Sequence, residues 1–136
     1  MVTFFSEDTD YKPISIQKLK QWISTVIKRE QHIAGDINYI FCSRSYLLTL
    51  NQTYLDHHYH TDILTFDQST LPGTISGDIY ISIDQVRENA LDYGESFQSE
   101  LRRVMVHGVL HLLGYNDQTP EEQTEMRKKE EAYLSL

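Results

Sequence analysis

The segment that opens at Ser96 and ends at Leu113 is the longest apolar, weakly charged run in the chain. Phe97, Leu101, Met105, Gly108 and Leu112 recur along it at steps of three and four. That period puts them on one stripe of a helix, a face that has to be covered by other elements. Gly114 supplies its stop. Inside the same segment lie His107 and His111, four residues apart. At roughly 100° per residue they stand about 40° apart around the axis, so both imidazoles leave one face, one turn apart. Glu100 and Arg103 share that face, opposite the apolar stripe.

The elements around this helix follow from local signals. Residues 2–5 are β-branched and aromatic and read as a first strand. Ser15 stands as an N-cap before Ile16, Leu19, Trp22, Ile23, Val26 and Ile27, an amphipathic helix that Gly35 is expected to end. Residues 37–42 form a second strand, and Ser43 or Ser45 opens a helix containing Leu47, Leu48, Leu50 and Tyr54. A polar loop over residues 56–62, with His57, His58 and His60, precedes a third strand over 63–66. After a turn at Pro72-Gly73, residues 77–83 alternate with period two as a half-buried strand, and a helix follows to about Gly94. Thr119, Pro120 and Glu122 make a capping box with proline at the first helical position, so a last helix runs from Pro120 towards Ser135. The order β-α-β-α-β-β-α-α-α implies an α+β fold in a single domain, with a small mixed sheet of about four strands and about five helices. Strand order does not follow from these signals.

Composition sets the outer limits. The chain has 136 residues, 40% of them hydrophobic and 24% charged, as expected of one soluble globular domain, residues 1–136, able to bury a core. Intrinsic disorder is excluded. A single cysteine, Cys42, allows no intrachain disulfide and no cysteine zinc site, so the expectation is a cytoplasmic protein without disulfide-linked partners. Residues 1–10 carry Glu7, Asp8 and Asp10 and no long apolar stretch, unlike a signal peptide. No run approaches the ~18 apolar residues of a membrane span. The formal charge of −8 argues, on its own, against a general basic surface for nucleic acid. The acidity lies after residue 50. The first fifty residues carry 6 basic and 5 acidic groups, with Lys18, Lys20, Lys28 and Arg29 in one helix, either a start for a polyanion-facing patch or a solvated face.

The histidine pair carries the chemistry. Two helical imidazoles at this spacing can bind one zinc ion, at about 2.0–2.1 Å per bond. The Gly114 break lets the chain turn back and present Asp117, completing the pattern H-x-x-x-H-x-x-G-x-x-D. Three protein ligands, His107, His111 and Asp117, leave a fourth position for water, the mark of a catalytic site. The competing reading is a solvated histidine pair beside a polar helix terminus. The spacing equals that of the metzincin proteases, but Gly108 stands where their general-base Glu would be, so a peptidase would lack its proton acceptor. Arg103 can offer a bidentate contact to phosphate or pair with Glu100, and the ion pair is favoured.

Val106 through Tyr115, VHGVLHLLGY, resembles the signature of the YbeY family of metal-dependent endoribonucleases, H-G-x-L-H-L-x-G-Y-D-H. Upstream, Leu50-Asn51 with Tyr54, the block TDILTF at 61–66 and the block GDIYIS at 77–82 resemble that family's L-N-x-x-Y-R, T-D-V-L-S-F and G-D-I-x-I-S blocks, in the same order. The resemblance implies a cytosolic zinc protein with one divalent ion per chain. It also implies cleavage of single-stranded RNA phosphodiesters through a metal-activated water, in small-subunit ribosomal RNA maturation and ribosome quality control. Its partners would be single-stranded RNA, ribosomal RNA and the small ribosomal subunit.

His107 and His111 match two family ligand positions residue for residue. Asp117 replaces the third, a histidine, Asn116 replaces the Asp before it, and Leu55 stands where the family has an arginine expected to hold phosphate. The general acid and base are not identified, and His57, His58 and His60 either line the site or are solvated. An alternative function is a non-catalytic ribosome-associated binding protein with a structural metal.

Overall fold

The computed structural model describes residues 1–55 and 61–136. They form β1 (Val2–Glu7), α1 (Ile16–Arg29), β2 (Ile33–Cys42), α2 (Arg44–Leu55), β3 (Ile63–Asp67), β4 (Thr74–Ser82), α3 (Ile83–Tyr93), α4 (Phe97–Leu112) and α5 (Pro120–Leu134). The strands make one mixed sheet in the order β1-β2-β4-β3, with β1, β2 and β4 parallel and β3 antiparallel against β4. Class and element order are those expected from the sequence. The histidines at 57, 58 and 60 lie outside the described residues.

Strand alternation divides the core between the two faces of the sheet. Ile37, Tyr39, Phe41, Ile79 and Ile81 point to one face, where they pack with the buried stripe of α1 and with α4. Cys42 and Tyr80, one step out of phase, point to the other and meet Leu47 of α2 and Leu64 of β3. The stripe expected on α4 is buried, but so are Val104, Val106, Val109 and Leu110. This helix contacts α1, α3, α5, β3 and β4, so apolar cover is needed nearly all round. Arg103, His107 and His111, at successive steps of four, form a line left partly exposed. Gly108 sets how closely α4 lies on the sheet, because a Cβ there would stand 2.8 Å from Ile79 Cγ2 and 2.9 Å from Ile63 Cδ1.

Two local expectations fail for identifiable reasons. Ser15 precedes α1 but adopts a left-handed conformation, φ 54°, and its side chain makes no capping bond. Gly35 does not end α1. The helix closes at Arg29, where Gln31 takes the left-handed position with φ 61°. The Gln31 and His32 amides then donate to the Lys28 and Ile27 carbonyls, the Schellman arrangement glycine usually serves. Gly35 lies within β2, at the register shift between Ala34 and Ile37, where a Cβ would meet Ser76 Oγ at 2.1 Å. Of the two serines offered as the start of α2, Ser43 is the cap, its Oγ accepting from the Tyr46 amide.

Candidate metal centre

The local sequence delivers His107, His111 and Asp117 to one point. Ser96 caps α4 through Ser99, and the helix runs to Leu112 without interruption. Gly114, φ 103°, then reverses the chain: its amide and that of Tyr115 donate to the His111 and Leu110 carbonyls, a second Schellman arrangement. Asp117 follows within this turn. Thr119 and Glu122 close the capping box that starts α5, which runs back along α4.

The ligand atoms converge. His107 Nε2 and His111 Nε2 are 2.9 Å apart, and Asp117 Oδ2 stands 3.3 Å and 3.5 Å from them. One atom from each residue lies within 4.8 Å of the other two. Ligands about 2.0–2.2 Å from a tetrahedral ion stand about 3.4 Å from one another, so this spacing fits such an ion. Hydrogen bonding on the far side of each ring supports that fit. His107 Nδ1 donates to Glu130 Oε2 at 2.7 Å, and His111 Nδ1 donates to the Tyr115 carbonyl at 3.1 Å. With both Nδ1 atoms protonated, both Nε2 lone pairs and a carboxylate oxygen face one point, an arrangement that repels itself unless a cation or proton lies between.

Electrostatics in the cluster are uneven. Burial pulls the His107 pKa down, but the hydrogen bond and charge of Glu130, with Asp117 and Asp62, raise it above its ordinary value. The His111 pKa falls, through burial and the neighbouring charge of His107. Burial raises the carboxyls of Asp62 and Glu100. A cavity of about 280 Å³ brings Asp62, Glu100 and Arg103 to the same wall as His107, Asp117 and Glu130. A wider cleft of about 770 Å³ opens on the other side of His107 and Asp117, along α5.

Arg103 makes the expected ion pair with Glu100 and adds two closer partners on another helix. Its Nε is 3.9 Å from Glu100, while its terminal nitrogens reach Glu130 at 3.2 Å and Glu131 at 2.8 Å. Glu130 is the site residue that sequence reasoning missed. It is 7% exposed, and the signal was available: Met126, Glu130 and Tyr133 share the helical spacing of the buried face of α5, so a carboxylate there needs partners inside. Glu30 was also missed; it accepts from Tyr115, Tyr133 and Lys129 and so ties the turn and α5 to the end of α1.

Comparison with known proteins matches residues 4–136 to the family model described as Endoribonuclease YbeY. A protein of that name from Cytophaga hutchinsonii is 48% identical over 135 residues, spanning 99% of this chain and 94% of the relative. Another from Flavobacterium psychrophilum is 47% identical over 132 residues, spanning 97% and 94%. The solution structure of TM1509 from Thermotoga maritima superposes with a TM-score of 0.69 at 30% identity, covering 99% of this chain and 87% of that one.

Proposed function

The chain belongs to the YbeY endoribonuclease family, and from that premise we propose that it is a metal-dependent endoribonuclease hydrolysing phosphodiesters of single-stranded RNA. Its ligands are His107, His111 and Asp117, its ion is zinc, one per chain, and its setting is small-subunit ribosomal RNA maturation in the cytoplasm. The observation that carries this reading is the convergence of two imidazole Nε2 atoms and one carboxylate oxygen, with both Nδ1 atoms engaged elsewhere. Asp117 in place of the family's histidine keeps a ligand of suitable reach, since zinc accepts carboxylate oxygen at about 2.0–2.2 Å.

When bound, a divalent ion supplies Lewis acidity toward water and a phosphoryl oxygen. The chain's own residues do the rest. Glu130 and the Tyr115 carbonyl hold the two rings in the Nδ1–H form and fix their direction. His107, His111 and Asp117 supply three ligand atoms, the number a catalytic zinc site ordinarily takes from its protein. Gly108, packed against Ile79 and Ile63, offers no general base, which disfavours a peptidase.

The test is cleavage of single-stranded and duplex RNA by the purified protein, with chelator and with metals restored. Cleavage of the single strand alone, lost with chelator and in His111→Ala, is expected. Cleavage that persists in His111→Ala belongs to a contaminant and refutes the assignment.

A further inference from the structure

Arg127 lies on the exposed side of α5, next to buried Met126. It lines both hollows that flank the ligand cluster, the cavity of about 280 Å³ and the cleft of about 770 Å³, each shared with His107, Asp117 and Glu130. On a helix, an arginine ordinarily pairs with an acid three or four residues on, here Glu130 or Glu131. Both are engaged by Arg103 from α4. Among the described residues no carboxylate stands within ion-pair distance of Arg127. Four other cations are committed elsewhere, Arg44 to Glu88, Lys129 to Glu30, Arg87 over Phe97 and Arg102 over Trp22, and the lysines and Arg29 of α1 line neither hollow. Lys128 reaches the wide cleft but does not line the inner cavity.

We infer that Arg127 holds a backbone phosphate of single-stranded RNA beside the His107, His111 and Asp117 cluster, an inference that rests on the endoribonuclease reading above. The surroundings require such a group. Asp62, Glu100, Asp117 and Glu130 line the inner cavity with Arg103, whose guanidinium is already paired with Glu130 and Glu131, and the whole chain carries −8, so an approaching phosphodiester meets an excess of carboxylates. A guanidinium with open donors is the side chain that binds phosphate through two parallel hydrogen bonds, and it keeps its charge at every working pH. Its location at the junction of the two hollows suits a strand that passes along the wide cleft and brings one phosphodiester to the ligands.

The experiment measures binding of a fluorescent 2′-O-methyl single-stranded RNA to the full chain by anisotropy across a salt series, and cleavage of the unmodified strand. The proteins are wild type, Arg127→Ala, Arg127→Lys, and Arg29→Ala as an equal charge change on the rival basic face of α1. Arg127→Ala should weaken binding roughly fivefold, the upper end for one exposed ion pair, and make the slope of log K against log salt shallower by about 0.7. Arg127→Lys should keep the slope, and Arg29→Ala should keep affinity. In cleavage, the Arg127→Ala loss should appear chiefly in KM. Unchanged affinity and slope in Arg127→Ala, or an equal loss in Arg29→Ala, overturns the assignment while cleavage by wild type leaves the endoribonuclease reading standing. A wild type that neither binds nor cleaves the strand overturns both.

Discussion

Replacing Glu130 by alanine removes the acceptor that orients His107 while leaving all three proposed ligands in place. The carboxylate is buried, its contact to His107 Nδ1 is 2.7 Å, and its second oxygen is held by Arg103, so it has little freedom to be replaced by water. Loss of an outer carboxylate behind a metal-bound imidazole costs about 10–100-fold in affinity, or roughly 1.4–2.8 kcal/mol. The tight geometry argues for the middle of that range or above, about 30-fold. Glu130→Gln keeps an acceptor for His107 but turns an amide donor toward Arg103, so about fivefold is expected there. Competition with a chromogenic chelator reads these values, and melting of the metal-free proteins controls for unfolding. The pH dependence has a definite sign. Glu130 supports the protonated form of His107, so in wild type protons compete with metal to higher pH than in the variant. The measured gap between the two should therefore be full near about pH 8 and narrow toward about pH 6. A Glu130→Ala protein that binds zinc within twofold of wild type at the higher pH refutes the argument.

Asp117→Ala should fall well below one ion per chain by elemental analysis, whereas Asp117→His should retain it; full metal content in the alanine variant removes Asp117 as a ligand. Gly108→Ala sets an overpacking cost of about 1–3 kcal/mol against about 1 kcal/mol of helix propensity. The net loss of about 1 kcal/mol should lower Tm by about 3–5 °C, and an unchanged or higher Tm refutes the close approach of α4 to the sheet. Burial pushes the Glu30 carboxyl up, but hydrogen bonds from Tyr115, Tyr133 and Lys129 outweigh it and hold its pKa below the ordinary value. A carboxylate with a lowered folded pKa adds stability above its unfolded pKa, and this is lost as pH falls through the folded value. Glu30→Gln should then flatten the acid side of a stability–pH curve measured by urea unfolding.

What was legible in the chain was what is written locally. The helix bearing His107 and His111, the glycine stop at 114 and the Thr119 capping box each need only a few consecutive residues, and each stands as read. The three converging groups were legible for the same reason, since they fall within eleven residues of one helix and one turn. Gly35 misled because the left-handed position was filled by Gln31 and the glycine was needed where β2 crosses Ser76, a contact 41 residues away. Arg103 pairs with Glu100 as an i,i+3 rule expects, but its closer partners, Glu130 and Glu131, lie on another helix where no local rule sees them. Strand order, with β3 on the edge beyond β4, is set by packing between distant elements and has no local signature.

The attachments of α5 carry a consequence for how the molecule is made. Trp22 Nε1 donates to the Tyr133 carbonyl, Glu30 accepts from Lys129 and Tyr133, and Glu130 holds His107. Each bond spans between 23 and 111 residues, and each takes its second partner from the last helix. Synthesis proceeds from the N-terminus, so α1, the sheet and α4 emerge while these positions are still unanswered. During that interval His111 already has the Tyr115 carbonyl behind it, whereas His107 lacks its Glu130 acceptor and is free to turn and to take either tautomer. The ring of His107 is therefore the last part of the cluster to be fixed, when the final helix docks.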